Sequence, residues 1–250
     1  MLGWLSTDRE VGLYSIAASL ALLGVLPAVS LNTMFNPVIS ELVQARELVQ
    51  LNRLLQIITR WLLLICLPFF SILLLVPDGI LLIYGADFEQ SRTPLLVLVL
   101  GQIIWVTFAP TMRIIPMSGH SLLNLINGLV ALVLSLGLNY LLIPRYGGTG
   151  AAVGTAITLG AWSLWRLVEV YHLFRCFPFS RRTMLVGGVC STVVGGAVWL
   201  TLDSSLSVRL IVVAVFLPAY AAFAYAFGRS PDDALVTARL RKRLSRLLGR

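Results

Sequence analysis

The chain has 250 residues, of which 58% are hydrophobic and only 12% charged, and its formal net charge is +8. A soluble domain carries about 25% charged residues, and half of that cannot dress the surface of a water-soluble globule this large. The composition therefore excludes a soluble enzyme, a soluble nucleic-acid-binding domain and a disordered chain, and it points to a polytopic membrane protein.

A helix needs about 20 apolar residues to cross the hydrocarbon core. Seven stretches qualify, namely Val11–Met34, Trp61–Tyr84, Pro94–Met112, Leu122–Ile143, Ala151–Leu173, Met184–Leu202 and Val208–Phe227. None shows the alternation of an outer-membrane barrel strand. Helices satisfy their own backbone hydrogen bonds in lipid, so the predicted fold is all-α, a polytopic bundle of about seven spans. Met1–Glu10 has neither a basic n-region nor a small-residue cleavage site, and it does not read as a signal peptide. Between the first two spans, residues 37–60 interleave Leu42, Val49, Leu54 and Leu55 with Glu41, Arg46, Glu47 and Arg53, which predicts a helix lying along the membrane face. After Pro231, Val236, Leu240, Leu244, Leu247 and Leu248 recur at helical spacing against Arg239, Lys242, Arg243 and Arg246. Residues 229–250 thus read as a basic amphipathic helix on an anionic leaflet, and their charge needs no nucleic acid.

The basic residues orient the spans. Arg46, Arg53 and Arg60 follow span 1, Arg113 follows span 3, Arg175, Arg181 and Arg182 follow span 5, and seven more lie from Arg229 onward. The opposite side holds Arg9, Arg92, Arg145 and Arg209. Cytoplasmic loops collect Lys and Arg, so the richer side is expected in the cytoplasm, with the N-terminus outside and the C-terminus inside.

Polar residues within spans are costly and often functional. Asn32 and Asn36 end span 1, Gln102 lies in span 3, and Asn124 and Asn127 share one face of span 4. Such amides suit sugar hydroxyls, and they equally suit a neighbouring helix as interhelical glue. Arg166 and Glu169, three apart in span 5, are expected to form a local ion pair that lowers the cost of insertion. Arg113 lies between Pro110 and Pro116, where a broken helix is expected; it is either a topology-setting cation or one that attracts a pyrophosphate. Pro27, Pro68, Pro110 and Pro218 are expected to interrupt spans 1, 2, 3 and 7. Cys66, Cys176 and Cys190 form no CxxC and read as small buried hydrophobes. No catalytic triad, P-loop or metal-ligand spacing is present, so no catalytic residue, metal or cofactor is implied.

Four strings carry a resemblance: Glu10–Ala18 (EVGLYSIAA), Phe35–Glu41 (FNPVISE), Asp78–Phe88 (DGILLIYGADF) and Asn139–Gly154 (NYLLIPRYGGTGAAVG). In the last, Pro144 ends span 4 and glycines make a tight turn into span 5. Together they resemble the polysaccharide-biosynthesis, O-antigen-flippase-like branch of the multidrug/oligosaccharidyl-lipid/polysaccharide exporter superfamily. The resemblance covers residues 1–175, a region like the second lobe of a two-lobe flippase. Residues 176–228 then supply two additional helices. It implies a multi-pass protein of the bacterial inner membrane that flips a lipid-linked oligosaccharide by alternating access. Asn32, Asn36, Gln102, Arg113, Asn124 and Asn127 are the candidate cavity residues. Membrane lipids are implied partners, with the first lobe as a missing piece or a second copy in its place. The alternatives are a cation-coupled drug exporter of the same superfamily and an inactive orphan lobe.

Overall fold

The computed structural model describes residues 1–200 and 204–228, the last three by backbone alone. The predicted tail helix at 229–250 and the end of the sixth span lie outside the described residues.

All regular structure among the described residues is helical. In chain order it comprises α1 Leu2–Leu5, α2 Asp8–Leu23, α3 Leu26–Gln44, α4 Leu48–Leu75, α5 Pro77–Leu82, a 3-10 turn Ala86–Ser91, α6 Arg92–Phe108, a second 3-10 turn Thr111–Arg113, α7 Ile114–Met117, α8 Ser121–Phe174, α9 Arg181–Leu200 and α10 Leu206–Gly228. Among the described residues α4, α6 with its lead-in turn, α8, α9 and α10 are long and apolar enough to cross a membrane, and α2 with α3, bent by 47°, makes a sixth candidate. The 54 residues of α8 are two limbs, because the backbone at Gly147 leaves helical geometry with φ 54° and ψ −132°. Each limb exceeds the about 20 residues a span requires, so the seven predicted crossings are all present as helix.

Gly147 adopts a backbone conformation that L side chains rarely take, and this reverses the chain. The reversal is tight: a Cβ on Gly150 would overlap the Leu142 carbonyl. A carboxylate from another helix closes the turn, with Gly148 N–H donating to Glu10 Oε2 at 2.7 Å. One helical turn further along α2, Tyr14 and Thr155 share a hydroxyl contact of 3.3 Å. Glu10 thereby fastens α2 to the hairpin 138 positions away in sequence.

α4 and α6 form the centre. α6 packs on α2, α4 and α8, while α4 also meets α3, α9 and α10. Gly101 lets α6 approach closely, since its Cβ would lie 2.9 Å from the Ala156 backbone. Phe35 meets Trp61 with ring centroids 6.1 Å apart, which sets the antiparallel register of α3 and α4. A second apolar cluster joins Leu63 and Leu67 of α4 to Val186, Cys190 and Val194 of α9 and Phe216 and Tyr220 of α10.

Three expectations are corrected. Residues 37–60 do not form one helix: 37–44 complete α3, Arg46 turns at φ 56°, and 48–60 open α4. The buried series Leu51, Leu54, Leu55, Ile58 and Leu62 is continuous with the span that follows, so one apolar face carries the helix through without a break. Pro68 and Pro218 leave α4 and α10 uninterrupted, whereas Pro27 and Pro110 do fall at breaks. Pro68 frees the Leu64 carbonyl four residues earlier, and Tyr220 OH donates to that oxygen at 3.2 Å. The span after Arg60 also ends sooner than expected, at Leu75, and Pro77 starts the separate helix α5.

The bundle ends differ in their fastening. At the Glu10 end, Asp78 takes Arg92 of α6 at 3.3 Å and Arg209 of α10 at 2.6 Å. At the other end, Phe177 N–H donates to Asn52 Oδ1 at 2.7 Å, and Gln56 Nε2 donates to the Phe177 carbonyl at 3.2 Å. Cys176, beside this contact, is buried, and burial pushes its thiol up to about 11.

Two outcomes follow. Gly150→Ala should destabilise the detergent-solubilised protein by about 1–3 kcal/mol through overpacking, whereas Gly128→Ala, in open space, should be neutral; thermal unfolding of both variants checks this. Cys176 stays a neutral thiol well above pH 9, because its raised pKa keeps the nucleophilic thiolate scarce. Peptide-level alkylation by iodoacetamide should therefore be slow at pH 8 and accelerate only as the pH nears 11.

Candidate functional site

The bent pair α2–α3 presents two chemically distinct faces. Leu13, Ala17, Leu20, Ala21, Ala28, Phe35 and Ile39 point into the core. Ser15, Ser19, Ser30 and Thr33 are exposed, at spacings that follow one helical face across the bend, with Leu22, Leu23 and Leu26 at the bend itself. Each hydroxyl donates back to a carbonyl of its own helix, at 2.9, 2.8, 3.0 and 2.8 Å in that order. Their protons are thus satisfied internally, and their lone pairs face outward. The exposed middle of the α8 hairpin is different, with Leu125, Leu129, Val133, Leu136, Ile157, Leu164 and Val168.

Behind this face lies a polar group of another kind. Asn32 is fully buried, and neither of its amide atoms has a hydrogen-bond partner. Asn36 Oδ1, one turn on, and Thr59 Oγ1 of α4 are likewise unpartnered. The register fixed by Phe35 and Trp61 puts Thr59 and the buried Arg60 at the level of Asn36. A buried unsatisfied group costs about 1–3 kcal/mol, so the α3–α4 seam keeps these amides at the expense of stability. Arg60 had been grouped with the loop cations, but it lies about 18 Å into α4 at about 1.5 Å per residue. Its signal in the sequence was a lone charge between Ile57-Ile58-Thr59 and the apolar run from Trp61.

The pair on span 4 is spoken for. Arg166 Nη2 donates to Asn124 Oδ1, and Asn127 Nδ2 donates to Glu169 Oε2. Trp165 Nε1 donates to Glu169 Oε1 at 2.9 Å and to Asn127 Oδ1 at 3.2 Å. Arg166 and Glu169, expected to pair with each other, interact through their opposite charges, and each also binds an amide of the facing limb. The reversal at Gly147 brings the limbs back to back, which offers both charges a partner besides the one on their own helix. Asn124 and Asn127 thus clasp the hairpin. Gln102 is buried in α6, and Arg113 is half-buried in the 3-10 turn between Pro110 and Pro116. No hydrogen bond joins either to another candidate among the described residues. The structure therefore gathers Asn124 and Asn127 with Arg166 and Glu169, places Asn32 and Asn36 one turn apart on α3, and leaves Gln102 and Arg113 apart.

The carboxylate of Glu169 accepts from two donors and serves here as a hydrogen-bond acceptor. Glu169→Gln keeps one acceptor oxygen and should retain both fold and transport. Glu169→Leu should lose about 1–2 kcal/mol, because it leaves Asn127 and Trp165 unpaired. Thermal unfolding and transport of the two variants check this; loss of transport in the glutamine variant at unchanged stability would make Glu169 a coupling group instead.

Comparison with known proteins adds a family. Neither the comparison with curated proteins nor that with solved structures gives a match. Residues 1–141, more than half of the chain, match MatE. The chain belongs to the MatE family of the multidrug/oligosaccharidyl-lipid/polysaccharide exporter superfamily, and it is a helical membrane transporter protein.

Proposed function

We propose that this chain moves a lipid-linked oligosaccharide across the cytoplasmic membrane by alternating access. The observation that carries the reading is the exposed hydroxyl face of Ser15, Ser19, Ser30 and Thr33 along α2–α3. Lipid offers such groups nothing, whereas a glycan passing along them supplies hydroxyl donors to their free lone pairs. The buried, unpartnered Asn32 and the half-buried Asn36, whose Oδ1 is unpartnered, follow two and three turns beyond the bend on α3. A second lobe or a second copy of the chain faces this surface and closes the passage. The side holding Arg46, Arg53, Arg113 and Arg175 is cytoplasmic, as its excess of cations requires.

Cation-coupled drug export is the second reading, and Glu169 weighs against it. Coupling needs a carboxylate that gains and loses a proton during the cycle, and Glu169 is bonded by Asn127 and Trp165.

The test uses proteoliposomes of the full chain, with whatever lobe accompanies it, and a fluorescent polyprenyl-pyrophosphate oligosaccharide. Protein-dependent movement of the glycolipid between leaflets is expected, with no extrusion of cationic dyes. Ser19→Leu/Ser30→Leu/Thr33→Leu should slow that movement at least tenfold, which is about 1.4 kcal/mol of barrier or more, while Val133→Ala on the hairpin should leave it unchanged. Dye extrusion without glycolipid movement would reverse the assignment.

A further inference from the structure

The hydroxyl face does not begin at Ser15. One turn earlier, at the bundle end closed by Glu10 and Gly148, lies a pocket of about 340 Å³ between α2 and the 3-10 turn 86–91. Arg9, Gly12 and Leu13 line it from α2, and Asp87 and Phe88 line it from the turn. Leu13 is buried, Phe88 is half-buried, and Arg9 and Asp87 are exposed. A Cβ at Gly12 would meet nothing within 4 Å, so the wall there is open space. Gly12 lies one turn before Ser15 and two before Ser19 on α2, so the pocket sits at the head of the helix that carries them.

The pairing of charges is the informative feature. Arg9 and Asp87 line one pocket with opposite signs, yet among the described residues neither forms an ion pair or a side-chain hydrogen bond. Both a fork of donors and a pair of acceptors are therefore available to the same occupant. A phosphate would satisfy Arg9 and be repelled by Asp87, and an ammonium would do the reverse. A hydroxylated ring satisfies both: ring and hydroxyl oxygens accept from the guanidinium, hydroxyl protons go to the carboxylate, and the apolar face of the ring lies against Phe88. The volume is in the range of small-molecule sites, about 300–1,000 Å³.

We propose that this pocket is a saccharide subsite at the extracytoplasmic head of the hydroxyl face, where Arg9 and Asp87 hold a sugar of the cargo by its hydroxyls and Phe88 stacks on it. The proposal rests on the transport reading above and adds to it a specific place of contact. A zwitterionic lipid headgroup also carries both signs of charge, but it would have no use for the row of hydroxyls that starts at the pocket.

The test is saturation-transfer NMR on the full chain in phosphatidylglycerol nanodiscs, with the methyl glycosides of glucose, galactose and N-acetylglucosamine as probes. Transfer to at least one glycoside is expected, falling at least fivefold in Arg9→Ala/Asp87→Ala and unchanged in Val133→Ala. Because both altered residues are exposed, the double variant should fold, and its thermal unfolding midpoint should match that of the native chain. Equal transfer in native and double-variant protein, or none to any glycoside, overturns the proposal. Transfer only to glycerophosphoethanolamine identifies a headgroup site and overturns it too. A native chain that binds glycoside but moves no glycolipid upholds the pocket and removes the transport reading, so the two failures are distinguishable.

Discussion

The arrangement depends on one reversal of the backbone. At Gly147 the chain takes a conformation that L side chains rarely adopt, and two membrane crossings are laid side by side. A turn so tight leaves backbone N–H groups facing inward with no helical partner, and in an apolar setting each must be answered. Glu10 answers the one at Gly148. That single bond ties the beginning of α2 to the middle of α8 and brings Tyr14 to Thr155. Once the limbs are antiparallel, Asn124 and Asn127 meet Arg166 and Glu169 at the far end. The clasp is a consequence of the turn, and the direction of α2, with its hydroxyl face, follows from the same fastening.

Polar groups at membrane depth divide into those the fold satisfies and those it leaves unsatisfied. Tyr220 covers the Leu64 carbonyl that Pro68 exposes, so α4 continues straight through its proline. Asp78 gathers Arg92 and Arg209 where three helices begin or end. In the hairpin clasp a buried arginine and a glutamate each take a hydrogen bond with an amide of the facing limb. Asn32, Asn36 and Thr59 fall in the second group. Unpartnered buried atoms recur elsewhere, at Ser91, Trp162, Ser163 and Arg166, but on α3 and α4 they include the amide of Asn32, Oδ1 of Asn36 and Oγ1 of Thr59.

The all-helical bundle was legible because membrane depth imposes a length on apolar runs and lipid forbids open backbone. The turn at Gly147 was legible for a similar reason, since proline followed by glycines at a span end admits few conformations. Two of the four family-like strings meet, since Glu10 touches Gly148, and a third supplies Asp78, which holds two arginines. What stayed illegible were partners. The spacing of Arg166 and Glu169 suggests their pairing, but the amides that each also binds lie 42 positions away and become visible only when the limbs are antiparallel. Arg60 read as a loop charge because hydropathy cannot tell a helix that begins in the interfacial region from a loop followed by a helix. The hydroxyl face was missed for a related reason: serine and threonine hardly disturb an apolar average, and their alignment across a bend needs the bend.

The distribution of burial then separates the roles of the helices. α4 and α6 are the framework, with most of the apolar interior between them, whereas the α8 limbs and α10 expose long apolar faces. A surface of leucine and valine at this depth is at equilibrium with lipid chains and needs no protein partner. The α2–α3 face is not at such an equilibrium, since its hydroxyl oxygens forgo acceptor bonds wherever hydrocarbon covers them. The same surface also exposes Leu22, Leu23, Leu26, Val29 and Met34, so its character is mixed. The hydroxyls of α2–α3 therefore set this surface apart from the leucine and valine faces of the α8 limbs, while α9 and α10 build a second apolar cluster on α4.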